Sequence, residues 1–409
     1  MRSVLAFISV WGFTFSLMAG EANYVKPEPA PPEFAVQLRG MQFVKSADDA
    51  GTINPHAVVS DVLLSSVSTR KTAPPKVAID SSKPEDSQPD VVRLDFSGKG
   101  NFSEAPFLSL KINSSSDQVC QATFGPEVVQ IKRGQEALPV LVQGQYLKSP
   151  EYRYLSMQVL AAVQSKVSFG QKTHAVRLVD CNADFNFNDA PVPMGSNGEY
   201  FSMSMGDYLS IDLTDDGFRK PLTVPCGQPV LVDGQWYKIS YDSDKKRISA
   251  QSVQLPTATI QHDQPLWSCK LATKDRTLFL HGGKEPIEAP AGEYSLIEYT
   301  AGPAMNSLRE DGIKDCLLFI RGRNVSTGKS QRIVLAEGKT CPLAVGVPLQ
   351  AKCIAKANGK NITFNMQLAD REGNSVASIL GPGGKQEQPK ISVIDDSGKT
   401  VYSNTLEFG

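Results

Sequence analysis

The chain has 409 residues, of which 41% are hydrophobic, and its 42 basic and 43 acidic residues leave a formal net charge of −1. This length allows roughly two to four domains of ordinary size with packed cores. No long block of one sign of charge occurs, so the basic surface that a nucleic-acid-binding protein needs is missing. The composition therefore argues against nucleic acid as a partner.

The first 22 residues have the organisation of a secretory signal peptide. Arg2 is followed by an uncharged apolar run up to Glu21, and the small residues Gly20 and Ala22 flank that position. A basic start, an apolar core and a small-x-small site predict a cleaved signal and a secreted or periplasmic protein. The alternative is a membrane anchor, since roughly 18 apolar residues can just span a bilayer. No later segment is long and apolar enough, so we expect no transmembrane segment after signal removal.

Seven cysteines follow, an odd number with no C-x-x-C spacing: Cys120, Cys181, Cys226, Cys269, Cys316, Cys341 and Cys353. In an exported chain some of them could form disulfides, and Cys341 with Cys353 is the most local pair. The alternative is that several are buried as small apolar residues. The sequence does not decide the connectivity.

Residues 23–90 form a Pro- and Ser-rich N-terminal segment whose order the sequence does not decide. From residue 91, short apolar runs alternate with turn residues, which is typical of hairpins. Turns are predicted at Gly170-Gln171-Lys172, Asp233-Gly234, Asp244-Lys245-Lys246 and Asp396-Ser397-Gly398, and a further hairpin in "PIEAPAGEYSLIEYT". The segment "SPEYRYLSMQVLAAVQ" could be a helix that begins near Pro150, but its apolar residues fit the helical and the strand period equally poorly, and we assign it to a strand.

These patterns predict an all-β fold with little helix, in which consecutive hairpins form β-sandwich or barrel-like modules. The expected boundaries give a β domain with acidic loops at 91–257, a β-sandwich-like module at 258–343 and a C-terminal β module at 344–409.

Three loops share one form, namely an apolar strand, an Asp, alternating polar residues and then a Phe. They are "VVRLDFSGKGNF" from Val91, "AVRLVDCNADFNF" from Ala175 and "YLSIDLTDDGF" from Tyr208. Calcium prefers about six to eight oxygen ligands, which short loops supply from alternate positions, with Gly at the sixth position for a sharp turn. The residues at or after these positions that we predict as calcium ligands are Asp180, Asn182, Asp184, Asn186, Asp189, Asp212, Thr214 and Asp216.

Some features depart from a full calcium loop. Phe185 occupies the sixth position of the second loop, no acidic residue stands at position 12, and Lys99 in the first loop would repel a cation. The alternative is a set of polar turns, because Asp and Asn side chains hydrogen-bond nearby backbone groups. If the metal interpretation is right, the acidic bends should face one another closely enough to share a divalent ion.

The loops "VRLVDCNADFNFNDA" and "YLSIDLTDDGF", followed by "VPCGQPVLVDGQWYKISYDSD", resemble a group of uncharacterised secreted bacterial proteins. Those proteins repeat a strand with a D-x-N-x-[DN]-G loop and end in a β-rich domain similar to "PKISVIDDSGKTVYSNTLEFG" of this chain. The resemblance covers about half of the chain and implies export and a β-rich fold, without a defined activity. It implies calcium ligands at Asp180, Asn182, Asp184, Asp189, Asp212 and Asp216.

No catalytic motif stands out. The G-x-S-x-G elbow, the H-E-x-x-H zinc spacing and a phosphate-binding loop are all missing from the sequence. The leading hypothesis is a structural or binding protein, stabilised by calcium, with an extracellular polymer or protein as partner. The alternatives are an extracellular hydrolase that uses carboxylates, or a carbohydrate-binding module with exposed aromatic residues, for which Trp236 and Tyr237 are candidates.

Overall fold

The computed structural model describes residues 18–30, 38–40, 42–45, 52, 54–64, 74–86, 88–116, 119–133, 135–182, 184–196, 199–204, 206–302, 317–359, 361–380, 388 and 390–405. Over these ranges the chain forms strands and turns without a helix, so the all-β prediction is confirmed. It follows that none of these residues belongs to a helix long and apolar enough to cross a membrane. Residues 1–17 of the predicted signal peptide lie outside the described residues.

The strands up to residue 252 are β1 (Met18–Glu21), β2 (Asn23–Val25), β3 (Leu38–Gly40), β4 (Val44–Lys45), β5 (Val58–Asp61), β6 (Leu63–Leu64), β7 (Lys76–Asp80), β8 (Val91–Asp95), β9 (Phe107–Ser109), β10 (Lys111–Ser115), β11 (Cys120–Arg133), β12 (Glu136–Lys148), β13 (Arg153–Phe169), β14 (Lys172–Asp180), β15 (Pro193–Ser196), β16 (Glu199–Met203), β17 (Tyr208–Asp212), β18 (Leu222–Pro225), β19 (Val230–Val232), β20 (Gln235–Asp242) and β21 (Arg247–Ser252).

The later strands are β22 (Thr257–Gln261), β23 (Leu266–Ala272), β24 (Thr277–Gly282), β25 (Ile287–Pro290), β26 (Gly292–Gly302), β27 (Leu317–Asn324), β28 (Arg332–Leu335), β29 (Thr340–Pro342), β30 (Gln350–Asn358), β31 (Asn361–Ala369), β32 (Asn374–Leu380), β33 (Lys390–Ile394) and β34 (Thr400–Thr405).

The chain divides into two compact units. The first comprises the described residues of Met1–Leu63, Arg70–Asp189 and Asp207–Gln254, and the second those of Leu64–Thr69, Ala190–Gly206 and Leu255–Gly409. Residues 23–90, the Pro- and Ser-rich segment, contribute strands β2 and β3 to the largest sheet of the first unit and β4, β5 and β7 to another.

The first unit is built around β13, the segment for which the sequence left a helix open. Its residues from Leu155 to Val163 are all buried, and it pairs with β12 and β14 in a sheet of order β10-β11-β12-β13-β14-β17-β18. β2 and β3 also pair with β13. Burial on both faces explains why the apolar run shows no clear alternation. The strand assignment is therefore confirmed.

A second sheet of this unit, of order β1-β21-β20-β19, packs on the same long strand in a sandwich-like arrangement. The rings of Phe169 in β13 and Tyr237 in β20 meet edge to face at 5.0 Å. The Ser165 hydroxyl donates a hydrogen bond to the Glu21 carbonyl at 2.7 Å. A third sheet has the order β4-β5-β7-β8-β9.

The four turns predicted by residue number are confirmed, and each contains a residue with a positive φ. Asp233 (φ 48°) and Gly234 (φ 78°) join the paired residues Val232 and Gln235, which is the geometry of a type I′ turn. The turns at Gly170, at Lys246 and at Gly398 also connect antiparallel neighbours in sequence.

In the second unit, β22 and β25 form a small sheet with β29, and β23, β24, β26, β27 and β32 belong to a larger sheet of order β24-β23-β26-β27-β32-β31-β30. Side chains from both sheets form one core that includes Ile260, Trp267, Leu296 and Tyr299, which is a sandwich-like packing. The predicted hairpin in "PIEAPAGEYSLIEYT" is wrong. β25 pairs with β22 and β26 pairs with β23, so the chain changes sheet at Ala291 instead of turning back.

Candidate functional site

The acidic loop that follows β14 begins at Asp180, whose side chain is fully buried. Its Oδ1 accepts the backbone N–H of Asn182 at 2.8 Å, and its Oδ2 accepts the N–H of Phe185 at 2.7 Å. The polar residues at the next alternate positions accept hydrogen bonds from the backbone in the same way. Asn182 Oδ1 accepts the N–H of Asp184 at 2.9 Å, and Asp184 Oδ1 accepts the N–H of Asn186 at 2.9 Å. Oxygen-bearing side chains at every second position thus cap successive turns.

Asp189 closes this loop. Its Oδ2 accepts a hydrogen bond from the Asn182 amide at 2.7 Å, and its Oδ1 accepts one from the Asn186 amide at 2.6 Å. Asn188 fixes the loop to β20, because its side chain exchanges two hydrogen bonds of 2.8 Å with the backbone of Tyr241. The predicted ligands Asp180, Asn182, Asp184, Asn186 and Asp189 therefore lie in one continuous hydrogen-bonded loop.

Asp207, which lies outside the predicted loop motifs, holds both ends of the same loop. Its Oδ1 accepts the N–H of Cys181 at 3.1 Å, and its Oδ2 accepts the N–H of Asp189 at 3.0 Å. The side chain is fully buried. Asp207 precedes β17, the strand that pairs with β14, so the sheet register brings its carboxylate beside the end of β14. The only sequence signal for it is an Asp directly before an apolar strand.

Three carboxyl groups, those of Asp180, Asp189 and Asp207, thus converge at one end of the β14–β17 pair. Burial raises the pKa of the Asp207 carboxyl well above its usual value, and the nearby charges of Asp180 and Asp189 raise it further, against the lowering effect of its two N–H donors. Burial also raises the pKa of the Cys181 and Cys226 thiols, and the Asp207 charge adds to both. These thiols therefore stay protonated, which is unsuitable for a nucleophile.

The three loops that share a sequence form also share one backbone geometry. The residue five positions after the Asp has a positive φ in each loop: Gly100 (82°), Phe185 (62°) and Gly217 (77°). Its N–H donates to the Asp side chain at 2.7, 2.7 and 2.9 Å in the same order. Phe185 adopts this left-handed conformation although it has a Cβ, at a cost of about 1 kcal/mol. Its ring packs on Phe96 at 6.3 Å between centroids, next to the first loop.

The Asp212 loop is a polar turn in the structure. The Asp212 carboxylate is buried and accepts the N–H groups of Asp216, Gly217 and Phe218 at 3.1, 2.9 and 3.1 Å. Burial raises the pKa of this carboxyl, but backbone N–H groups together bring it below its usual value. Thr214 is exposed, and Asp216 Oδ1 caps the N–H of Arg219 at 2.9 Å.

Asp180 and Asp212 lie at opposite ends of the β14–β17 ladder. Asp212 pairs with Ala175, five residues before Asp180, which corresponds to about 17 Å along the strand. The expectation that these two bends share one divalent ion is therefore wrong. Any ion bound by the Asp180 loop would use Asp207 and Asp189 instead of Asp212.

The donor chemistry around Asp180 suits calcium, because every candidate ligand is an oxygen atom. Within the described ranges, however, no three His, Cys, Asp or Glu side chains stand ready as a metal-binding group. Coordination would require carboxylate oxygens that now accept N–H groups to turn toward an ion. Whether the loops bind metal thus stays a prediction.

Two possibilities that the sequence left open find no support in the structure. Trp236 and Tyr237 are 8% and 7% exposed, so neither offers an aromatic platform for a sugar. Cys341 and Cys353, the most local pair that the sequence offered for a disulfide, are both free cysteines, in β29 and β30. Cys316 lies outside the described residues.

One small cavity in the first unit is lined by several titratable residues, among them His56, Asp80 and Arg153. Its volume of about 40 Å³ is far below the roughly 300–1,000 Å³ of pockets that bind small molecules. Asp80 pairs with Arg93 at 2.9 Å and accepts the N–H groups of Asn54 and Ser81, which is a structural role. This cavity gives no support to a hydrolase.

The chain was compared with protein-family models, with curated proteins and with solved structures, and no match was found in any of the three comparisons.

Proposed function

We propose that this is a secreted or periplasmic β-rich protein with a structural or binding role, and that calcium stabilises its loop from Asp180 to Asp189. The proposal combines the apolar N-terminal sequence, which favours export, with the convergence of carboxylates at the end of β14. The resemblance to secreted bacterial proteins with strand and D-x-N-x-D loops also supports export and calcium binding.

The observation that carries the calcium proposal is the complete burial of Asp207 between the two ends of the acidic loop. Its neighbours Asp180 and Asp189 are also acidic, and grouping buried negative charges is costly unless a proton or a cation neutralises them. Extracellular calcium-binding modules reach occupancy at about 0.1–1 mM calcium. Calcium would link the loop to the residue before β17 and thereby stabilise the pairing of β14 with β17.

The test is a thermal unfolding experiment on protein stripped of metal with EDTA. Bound calcium stabilises the folded state in proportion to the logarithm of its concentration above Kd, so the melting temperature should rise on addition of millimolar calcium. An equal concentration of magnesium should have a smaller effect, because magnesium demands a stricter geometry and gives up water reluctantly. An unchanged melting temperature with calcium would remove the proposal.

Two variants locate the site. Asp207→Asn should abolish most of the calcium-dependent rise, because it removes one of the converging charges. Asp212→Asn changes an equally buried aspartate at the opposite end of the same strand pair and should keep the rise. The opposite result would assign calcium to the Asp212 loop.

A further inference from the structure

A polar groove lies on one face of the largest sheet in the first unit, and none of its lining residues belongs to the acidic loops. It has a volume of about 540 Å³ and is lined by Thr123, Gln143, Gln145, Ser156, Gln158 and Arg39. This volume lies within the range of small-molecule pockets, roughly 300–1,000 Å³. The groove thus has the size for a ligand that the small cavity lacks.

The sheet register places four of these side chains in one row. Thr123 of β11 pairs with Gln145 of β12, Gln145 with Ser156 of β13, and Ser156 with Arg39 of β3. Residues paired in this way lie on the same face, about 4.8 Å apart from strand to strand. The row therefore extends over about 14 Å, which suits an elongated ligand.

A second pair lies beside this row. Gln143 and Gln158 are paired across β12 and β13, and the Gln143 amide donates to Gln158 Oε1 at 2.6 Å. The bond leaves the Gln143 Oε1 acceptor and the Gln158 Nε2 donor without a partner among the described residues, although Gln158 is only 5% exposed. A ligand group that both donates and accepts, such as a hydroxyl, matches this pair.

Among the described residues that line the groove, Arg39 is the one that carries a charge. Its guanidinium lies over the Tyr154 ring at 5.9 Å from the centroid, which positions the charge at one end of the row. Arginine binds carboxylates through two parallel N–H bonds. A single cation is too little for a nucleic acid, which requires a wider basic surface.

We propose that this groove binds an acidic oligosaccharide, with its hydroxyl groups on the glutamine, serine and threonine side chains and a uronate carboxylate on Arg39. The inference goes beyond the proposed function, because it uses none of the acidic-loop residues and requires no calcium. It names acidic oligosaccharides as the class of ligand that the protein binds.

The test is isothermal titration of the full chain, in EDTA, with hexasaccharides of galacturonate, mannuronate and guluronate, and with maltohexaose and cellohexaose as neutral probes. At least one uronate should bind, and the neutral probes should bind about tenfold more weakly or not at all, because they lack the charge-assisted contact. No binding of any uronate at millimolar concentration would overturn the proposal, as would equal binding of neutral probes.

Variants assign the contacts. Arg39→Gln should weaken uronate binding about tenfold. Gln145→Ala removes an exposed side-chain amide and should weaken uronate binding about fivefold. Gln130→Ala is the matched control, since Gln130 is an exposed glutamine of β11 outside the groove, and should bind like the wild type. Unchanged binding by Arg39→Gln would contradict the proposal.

Two variants separate this test from that of the proposed function. Asp207→Asn should retain saccharide binding, and Arg39→Gln should retain the rise in melting temperature with calcium.

Discussion

Asp207 Oδ1 accepts the backbone N–H of Cys181 at 3.1 Å, and this bond joins the end of β14 to the residue just before β17 across 26 positions of sequence. The second oxygen of the same carboxylate accepts the N–H of Asp189. A single buried side chain therefore fixes both ends of the acidic loop. Its protonation state should be visible in the stability of the protein.

We expect the unfolding free energy in EDTA to fall as pH rises above about 4, because of Asp207. Its carboxyl has a pKa above the usual 3.8 in the folded state. Its contribution to stability is thus full below the unfolded-state value and is lost as pH rises through the folded-state pKa. Asp207→Asn removes this titration, so the difference in stability between wild type and variant should shrink with rising pH. Urea unfolding from pH 4 to pH 8 measures it, and parallel curves would contradict it.

Asp212→Ala should destabilise the protein by about 2 kcal/mol, because three partly buried backbone N–H groups lose a charged acceptor. Thr214→Ala is the control within the same loop. The Thr214 side chain is exposed, so this variant should stay within about 0.5 kcal/mol of the wild type. Urea denaturation of both variants gives the two values. A loss smaller than that of Thr214→Ala would show that the carboxylate does not hold the turn.

Gly217→Ala should cost about 1 kcal/mol, from backbone strain alone. Gly217 has a φ of 77°, and a Cβ placed there would meet no atom within 4 Å, so a steric clash with neighbours does not contribute. Gly217→Asn should lose about half as much, because Asn tolerates the left-handed region better than Ala does. Equal losses for the two variants, measured by urea unfolding, would indicate a cause other than φ.

Local features of the sequence were sufficient to predict much of the fold. The Asp233-Gly234 turn follows from the backbone freedom of its residues, which acts over two positions. The change of sheet at Ala291 was missed, because partner choice between β25 and β26 depends on the distant strands β22 and β23. Trp236 and Tyr237, the candidates for exposed aromatic residues, are both buried, and Tyr237 packs on Phe169 of the facing sheet, a contact that local sequence does not reveal.

The candidate site was predicted only in part, for a similar reason. The spacing from Asp180 to Asp189 revealed the loop, because its hydrogen bonds are local. Asp207 lies 26 residues beyond Cys181, and only the pairing of β14 with β17 brings it to the loop. The groove that contains Arg39 and Gln145 depends on β3, a strand contributed by the Pro- and Ser-rich segment, which the sequence pattern gave no reason to place beside β13.

His262 provides a pH-dependent prediction in the second unit. The ring is buried, its Nδ1 accepts the N–H of Gln264 at 3.0 Å, and its Nε2 lies 2.7 Å from the Tyr299 hydroxyl and 3.2 Å from the Val345 carbonyl. Since Nδ1 is an acceptor, the ring is neutral, and a second proton would break the bond to Gln264. Burial accordingly lowers the pKa of His262 below 6.5, although the Val345 carbonyl and Asp263 act in the opposite direction.

The contribution of His262 to stability should therefore be full above about pH 6.5 and be lost as pH falls through the lower folded-state pKa, because the unfolded state then binds more protons. We expect the stability difference between wild type and His262→Gln to shrink between pH 7.5 and pH 5 in urea unfolding. A His262→Gln curve parallel to that of the wild type would mean that the pKa of the ring is the same in the folded and unfolded states, contrary to its buried hydrogen-bonding.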